Sequence, residues 1–406
     1  MHIRKKPLKA IAASTLLVLS VASCAVAGSS GSADSRGDEA GDGPIKIGYI
    51  GALSGGSAFM GVPGGNGMNL AVSEINEAGG VAGRQLELIS IDDKADPATS
   101  ATAAQKLVSE DRVVAVIGGP NSGTVKANNV IITGAGVPQL IAIASEDSLI
   151  DPDGENFGLT FRTTENNSYD VGAIASLFES ANYKAICLLA DTTAYGEGGV
   201  ASIRKVFEKR GLAIEAVEQH PVNATDMTAQ ALSLRDAGCD AIYLFSLAPD
   251  GALFFKTMQQ IGWDVPVVGG RGLAGASFIS LGGKAAEGLI VPGVVDPNKK
   301  EGAAYIEAYD AQYGSEGDPT HSYSALGYDS VMLLAAALET TGGIGGDELA
   351  KALEATTLTN GATGREGSTL FFSAEKHEAP SENYVVFYEL RDGTYQFLTS
   401  DVESGL

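Results

Sequence analysis

Short apolar runs rich in β-branched residues alternate with helix-length amphipathic segments, and the alternation occurs twice along the chain. In the first set, IKIGYIGAL (Ile45 to Leu53), LELISIDD (Leu86 to Asp93) and VVAVIGG (Val113 to Gly119) read as strands. Between them lie a helical segment that stops at Gly79-Gly80 and another over Thr99 to Ser109 behind an Asp-Pro start. In the second set, AICLLAD, LAIEAVEQH and DAIYLFSL are the strands, with helices over Glu197–Arg210 and Thr228–Ala237. Strands that are apolar on both faces and separated by helices must be covered on both sides, which makes the sheets parallel. Two such units laid end to end predict an α/β chain of two similar doubly wound lobes. At 406 residues the chain exceeds what one core usually organises. Ligands of open parallel sheets bind beyond the carboxyl ends of the strands, so a cleft between two facing lobes is the expected site.

The stretch AVIGGPNSGT (Ala115 to Thr124) carries the glycine spacing of a phosphate loop, but Thr124 and Val125 stand where that motif needs Lys and a hydroxyl residue. What remains is a strand, a tight turn and a helix start, with Ser122 at the helix N-cap, suited to receive a carboxylate. Ala144 and Ser145 close the next strand region with small side chains that let backbone groups reach a ligand. Tyr195, in DTTAYGEG on the second unit, precedes a helix start. A dinucleotide fingerprint, HExxH, GxSxG, CxxC and an EF-hand loop are all missing from the sequence, and no catalytic residue or cofactor is expected. His220, His321 and His377 lack ligand spacing and read as structural or solvated.

The formal charge of −23 argues against nucleic acid as a partner. The first 23 residues form a signal: Arg4, Lys5, Lys6 and Lys9, then an apolar Ala10–Val21 core too short to span a bilayer, which takes about 20 residues. Val21-Ala22-Ser23-Cys24 reads as a lipobox that would lipidate Cys24, and residues 24–43 as a flexible tether to the outer face of a membrane. Cys187 and Cys239 are able to pair in principle; beside apolar strands they are read instead as separate buried hydrophobes.

With these segments in place, the sequence resembles the extracytoplasmic solute-binding proteins of branched-chain amino acid type ABC importers, which have the type I periplasmic-binding-protein fold. The likeness is carried by IKIGYIGALSG, AVSEINEAGGVAGRQLELISIDDKADP, AVIGGPNSGT, FRTTENNS, YGEGG, AAEGLIVPG and ALGYDSVMLLAAAL, in order and over nearly the whole chain after the tether. It implies a three-segment hinge near Thr163, Val294 and Glu378, with lobe 1 formed by 44–163 plus 295–378 and lobe 2 by 164–294 plus 379–406. It also implies capture of a small carboxylate or amino acid by closure of the lobes, and delivery to the permease's transmembrane subunits. Carried over by position, Ser122 and Ser145 hold the ligand's acid end, Ile143 supplies backbone groups, and Tyr195 closes from the opposite lobe. Tyr323 and Met60 fall near the side-chain pocket.

Two positions depart from the family pattern. Arg271, in GGRGL, stands where the family places the carboxylate for the ligand's ammonium, and Leu247 replaces a tyrosine of the facing lobe. Like charges about 4 Å apart repel by roughly 4 kcal/mol at an effective dielectric near 20. Either Arg271 turns away, leaving Asp191, Glu146 or Asp250 to serve an amine, or the ligand is an amine-free carboxylate. Two other functions stay open on the sequence: a sensor presenting its ligand to a membrane kinase, and a secreted amidase or esterase, which would need an activated nucleophile with a base in reach.

Overall fold

The computed structural model describes residues 43–381 and 383–398; the expected signal, Cys24 and all of the tether before Gly43 lie outside them. The first apolar runs form β1 (Ile45–Gly51), β2 (Leu86–Asp92), β3 (Ala115–Gly118), β4 (Gln139–Ile141) and β5 (Thr160–Arg162), joined by α1 (Ala58–Glu77), α2 (Pro97–Lys106) and α3 (Ser122–Gly134). The strands assemble in the order β2-β1-β3-β4-β5, all pairs parallel. Chain order reverses between β1 and β3, so the loops after these strands diverge and leave a crevice at their carboxyl ends.

The chain then builds a second sheet from β6 (Ile186–Asp191), β7 (Ile214–His220), β8 (Ala241–Phe245), β9 (Val267–Gly269) and β10 (Ile290–Gly293). The helices α4 (Asn167–Ser180), α5 (Ala194–Arg210), α6 (Thr228–Asp236), α7 (Ala248–Gln260) and α8 (Ala276–Gly282) cover it. Its parallel part, β10-β9-β8-β6-β7, repeats the order of the first sheet, with the reversal between β6 and β8. The two doubly wound units expected from the sequence are therefore both present.

The remaining segments complete the two halves. After β10 come α9 (Lys300–Tyr313), α10 (Ser322–Thr341), α11 (Gly346–Glu354) and a short ribbon of β11 (Thr357–Leu358) and β12 (Leu370–Phe371). The helix α10 lies along α1, and side chains from both enter one core with those of β1 and β3. The chain then returns to the second sheet as an antiparallel hairpin, β13 (Val386–Arg391) and β14 (Thr394–Leu398), on the edge of β10. Three passages thus join the sheets. They are tied by a backbone bridge and an ion pair between Arg162 and Glu378, and by a second bridge between Val295 and Gly364.

Cys187 and Cys239 form a disulfide, with their Cα atoms 5.6 Å apart, which corrects the reading of two separate thiols. Parallel pairing of β6 with β8 aligns Cys187 with Ile242, and Cys239 lies three residues before it in the approach to β8. Sheet register, invisible at a sequence separation of 52, brings the sulfurs together.

Candidate functional site

A cavity of about 300 Å³ lies between the carboxyl ends of the two parallel sheets. That is at the small end of the roughly 300–1,000 Å³ typical of small-molecule sites. Of the residues singled out in the sequence, Met60, Ser122, Ile143, Ser145, Tyr195, Leu247, Arg271 and Tyr323 all line it. Ala144 does not: its side chain is buried with Val125, Ile141 and Leu149. The chain bends at Ala142 and Ile143, just past the end of β4, and this returns the Ala144 side chain to the packing face of Ile141.

On the first sheet, β3 delivers the turn Gly119-Pro120-Asn121 and the start of α3. A Cβ on Gly119 would come within 2.5 Å of the Ile50 carbonyl oxygen, so only glycine lets this turn lie flat against the end of β1. Ser122 is the first residue of α3 and Asn121 is the cap, one position from the sequence expectation. Asn121 makes no side-chain capping bond; its amide donates to Ser57 Oγ at 3.1 Å. The Ser122 residue is 2% exposed, and its Oγ has no hydrogen-bond partner among the described residues. The first amides of a helix have no intrahelical acceptor. The N-terminal turn of α3 thus presents a buried hydroxyl and free N–H groups at the cavity wall.

On the second sheet, Thr193, Ala194 and Tyr195 at the start of α5 line the opposite wall. Tyr195 falls inside the first turn of this helix, which begins three residues earlier than the sequence suggests. Its ring stacks on Phe245 with centroids 4.3 Å apart, and its hydroxyl accepts a long hydrogen bond (3.4 Å) from the Gly272 amide. Burial pushes its phenol pKa far above the ordinary value. Tyr323, at the start of α10, donates its hydroxyl to the Arg271 carbonyl at 2.5 Å and packs edge-on against Phe59.

Arg271 is buried, and its guanidinium is already engaged: it forms an ion pair with Glu165, lies 4.0 Å from Asp170, and donates to Thr164 Oγ1 at 3.1 Å. Burial, followed by the Glu165 charge, pushes the Asp170 carboxyl well above the usual range. Arg271 thus neither turns out of the cavity nor stands in it unpaired, because its charge is balanced from within the protein. Sequence reasoning missed Glu165 and Asp170. Glu165 lies inside FRTTENNS, but no spacing rule links that stretch to an arginine over a hundred residues on. The three acids considered for an amine also have partners within the protein, although Asp191 Oδ2 is buried without one among the described residues. Asp191 accepts from the Thr193 amide and hydroxyl, Glu146 pairs with Lys126 at 2.8 Å, and Asp250 accepts from the amides of Asn223 and Ala224.

Direct contact between the halves is close. The Glu146 side chain lies against Gly198 of α5, where an added Cβ would stand 2.4 Å from Glu146 Cγ. Ser202 Oγ donates to Asp147 Oδ2 at 2.8 Å. A Ser–His contact does exist, between Ser246 Oγ and His220 Nε2 at 3.0 Å, but both residues are buried outside the cavity lining. His377 is stacked between Phe157 and Phe161, and His321 pairs with Asp310, so these rings hold structure. Among the described residues, no cluster of His, Cys, Asp or Glu is arranged to hold a metal ion, and no helix is long and apolar enough to cross a membrane.

Two doubly wound sheets facing each other across a small donor-lined cavity at their switch points define a bilobal solute-binding protein. A family model described as Periplasmic binding protein matches residues 44–394, and the chain belongs to that family. The leucine-, isoleucine-, valine-, threonine- and alanine-binding protein of Pseudomonas aeruginosa is 28% identical over 354 residues, 86% of this chain and 91% of that protein. A type 1 periplasmic binding protein from Bordetella pertussis shares the fold, with a TM-score of 0.80 over 87% of this chain and 99% of that one, at 23% identity. A branched-chain amino acid transporter substrate-binding protein from Streptococcus pneumoniae, solved with isoleucine, has a TM-score of 0.76 at 26% identity, covering 87% of this chain and 99% of that one.

Proposed function

We propose that this chain is the extracytoplasmic solute-binding component of an ABC importer, and that it captures a small carboxylate-bearing solute between its lobes. Membership of the family and the solute-binding roles of its named relatives support the class, with amino acids as the family default. The observation that carries the carboxylate is the Ser122 hydroxyl, buried at the start of α3, facing the cavity and unpartnered. An isolated buried hydroxyl is costly unless something bonds to it. A ligand carboxylate would accept from it and from the free amides of the helix start, where the macrodipole also favours an anion. Ser145 adds a second hydroxyl and Ile143 backbone groups, while Tyr195, Leu247 and Arg271 close from the other side, with Met60 and Tyr323 around the tail. The lobes are 44–163 plus 295–378 and 164–294 plus 379–406, and the permease reads the closed form. A lipid on Cys24 and a tether over 24–43 would hold the body to the outer face of the membrane.

The Ser122→Ala variant is expected to bind the tightest member of an amino acid and carboxylate panel about tenfold more weakly, the loss of one charge-assisted hydrogen bond. Titration calorimetry checks this, and equal affinities would remove Ser122 from the site. Closure itself is tested at Gly198. A leucine there must displace Glu146, so Gly198→Leu should hold the lobes apart and weaken the same ligand by more than about tenfold, or about 1.4 kcal/mol. Small-angle scattering of the saturated variant should show a larger radius of gyration than saturated wild type; the same radius would mean that this contact does not gate closure.

A further inference from the structure

We infer that the solute this cavity selects is a monocarboxylate with an apolar tail and no amine. The inference rests on the carboxylate reading above and narrows it. An ammonium group taken out of water needs acceptors, most effectively a carboxylate. Among the described residues, neither Asp nor Glu lines the cavity, whereas Arg271 does. The acids nearest its walls lie outside the lining and are each engaged within the protein through at least one oxygen, while Asp93 Oδ2, Asp191 Oδ2 and Asp170 Oδ1 are buried without a hydrogen-bond partner among the described residues. Asp191 turns to the Thr193 amide and hydroxyl, and Asp93, fully buried, accepts from the Ala95 amide. Glu165 is committed to Arg271, and Asp170 lies behind the same guanidinium, outside the lining. A ligand ammonium would therefore meet no carboxylate on the cavity wall, only a guanidinium whose charge Glu165 already balances.

The polar groups along the cavity come from both halves: hydroxyls, helix-start amides, the Arg271 guanidinium and one amide acceptor, Asn121 Oδ1, which is buried without a partner among the described residues. The start of α3 with Ser122 stands on one side, and the start of α5 with Arg271 on the other. Helix starts of this kind repel a cation for the same reason that they attract an anion. Between them, Met60, Pro97, Ile143 and Leu247 provide an apolar surface for a hydrocarbon tail. One end of the solute is thus anionic and the rest is neutral.

The test compares acids that differ only in the amine: L-leucine with 4-methylpentanoate, L-valine with 3-methylbutanoate, and L-phenylalanine with 3-phenylpropanoate. Each is titrated into the purified protein by calorimetry at neutral pH, with 4-methylpentanamide as the uncharged control. The expected result is that the amine-free acid binds at least about tenfold more tightly than its amino acid in every pair that binds, and that the amide fails to bind. An amino acid that equals or exceeds its deaminated partner overturns the inference while leaving carboxylate capture intact. If the amide binds as well as the acids, carboxylate capture itself is wrong. Absence of binding by all six acids counts against both.

Discussion

Replacing Arg271 with methionine is expected to destabilise the folded protein by about 3–5 kcal/mol, even though the new side chain is apolar and of similar length. The loss comes from what stays behind. Glu165 is fully buried, and its carboxylate is balanced by the guanidinium that the substitution removes. Asp170 sits beside it, already held toward its neutral form by burial and by the Glu165 charge. Without Arg271, Glu165 must either ionise alone in a dry interior or fold protonated, and both cost free energy. The double variant Arg271→Met with Glu165→Gln should recover most of the loss, because a buried ion pair replaced as a whole often changes stability little. Urea unfolding of the four proteins gives the coupling directly. A single variant within about 1 kcal/mol of wild type would mean that the pair is not buried as described.

The same cluster shows where reading the sequence stops. Strand and helix order was legible because each apolar run sits between helical periods, and the structure places β1, β2, β3, β6, β7 and β8 within those runs. The start of α1 was not. Gly61, Pro63, Gly64 and Gly65 look like breakers, yet the helix runs from Ala58 through all of them. Local propensity is overridden there by packing of α1 against α10. At the site, the residues carried over from the family pattern line the cavity, whereas Ala144, read from its small size at a strand end, does not, because the chain bends just past β4. Charge balance was illegible for a different reason. Arg271 follows β9, whereas Glu165 lies between β5 and α4, and only the folded chain shows that they neutralise each other. From the sequence, Arg271 either turned away from the cleft or faced a ligand without an amine. In the structure its pairing is already made, and what bears on the ligand is that, among the described residues, no acid lines the cavity.

Removing the Cys187–Cys239 bond is expected to lower stability by about 4 kcal/mol without disturbing the ligand site. The bond closes a loop across a sequence separation of 52 residues, running from β6 through α5, β7 and α6 to the approach to β8. Chain-entropy reasoning for a loop of this length gives about 4 kcal/mol at 25 °C, gained by restricting the unfolded chain. Both cysteines are buried, so a Cys187→Ala, Cys239→Ala pair is a cleaner test than mild reductant, which would have to reach sulfurs shielded from solvent. Affinity should hold within about twofold. Cys187 is the second residue of β6 and Cys239 precedes β8, so the crosslink lies at the amino ends of these parallel strands, opposite the carboxyl ends that carry Tyr195 and Leu247. Paired urea unfolding and calorimetry therefore separate two roles within one lobe. A bond of this kind persists in oxidising compartments, in keeping with an exported protein. If the double variant unfolds at the wild-type urea concentration, the crosslink is not restraining the unfolded chain. If instead affinity falls in step with stability, the two ends of the second sheet are coupled, and its carboxyl-end loops are not the independent clamp that Arg271, Tyr195 and Leu247 are assigned to be.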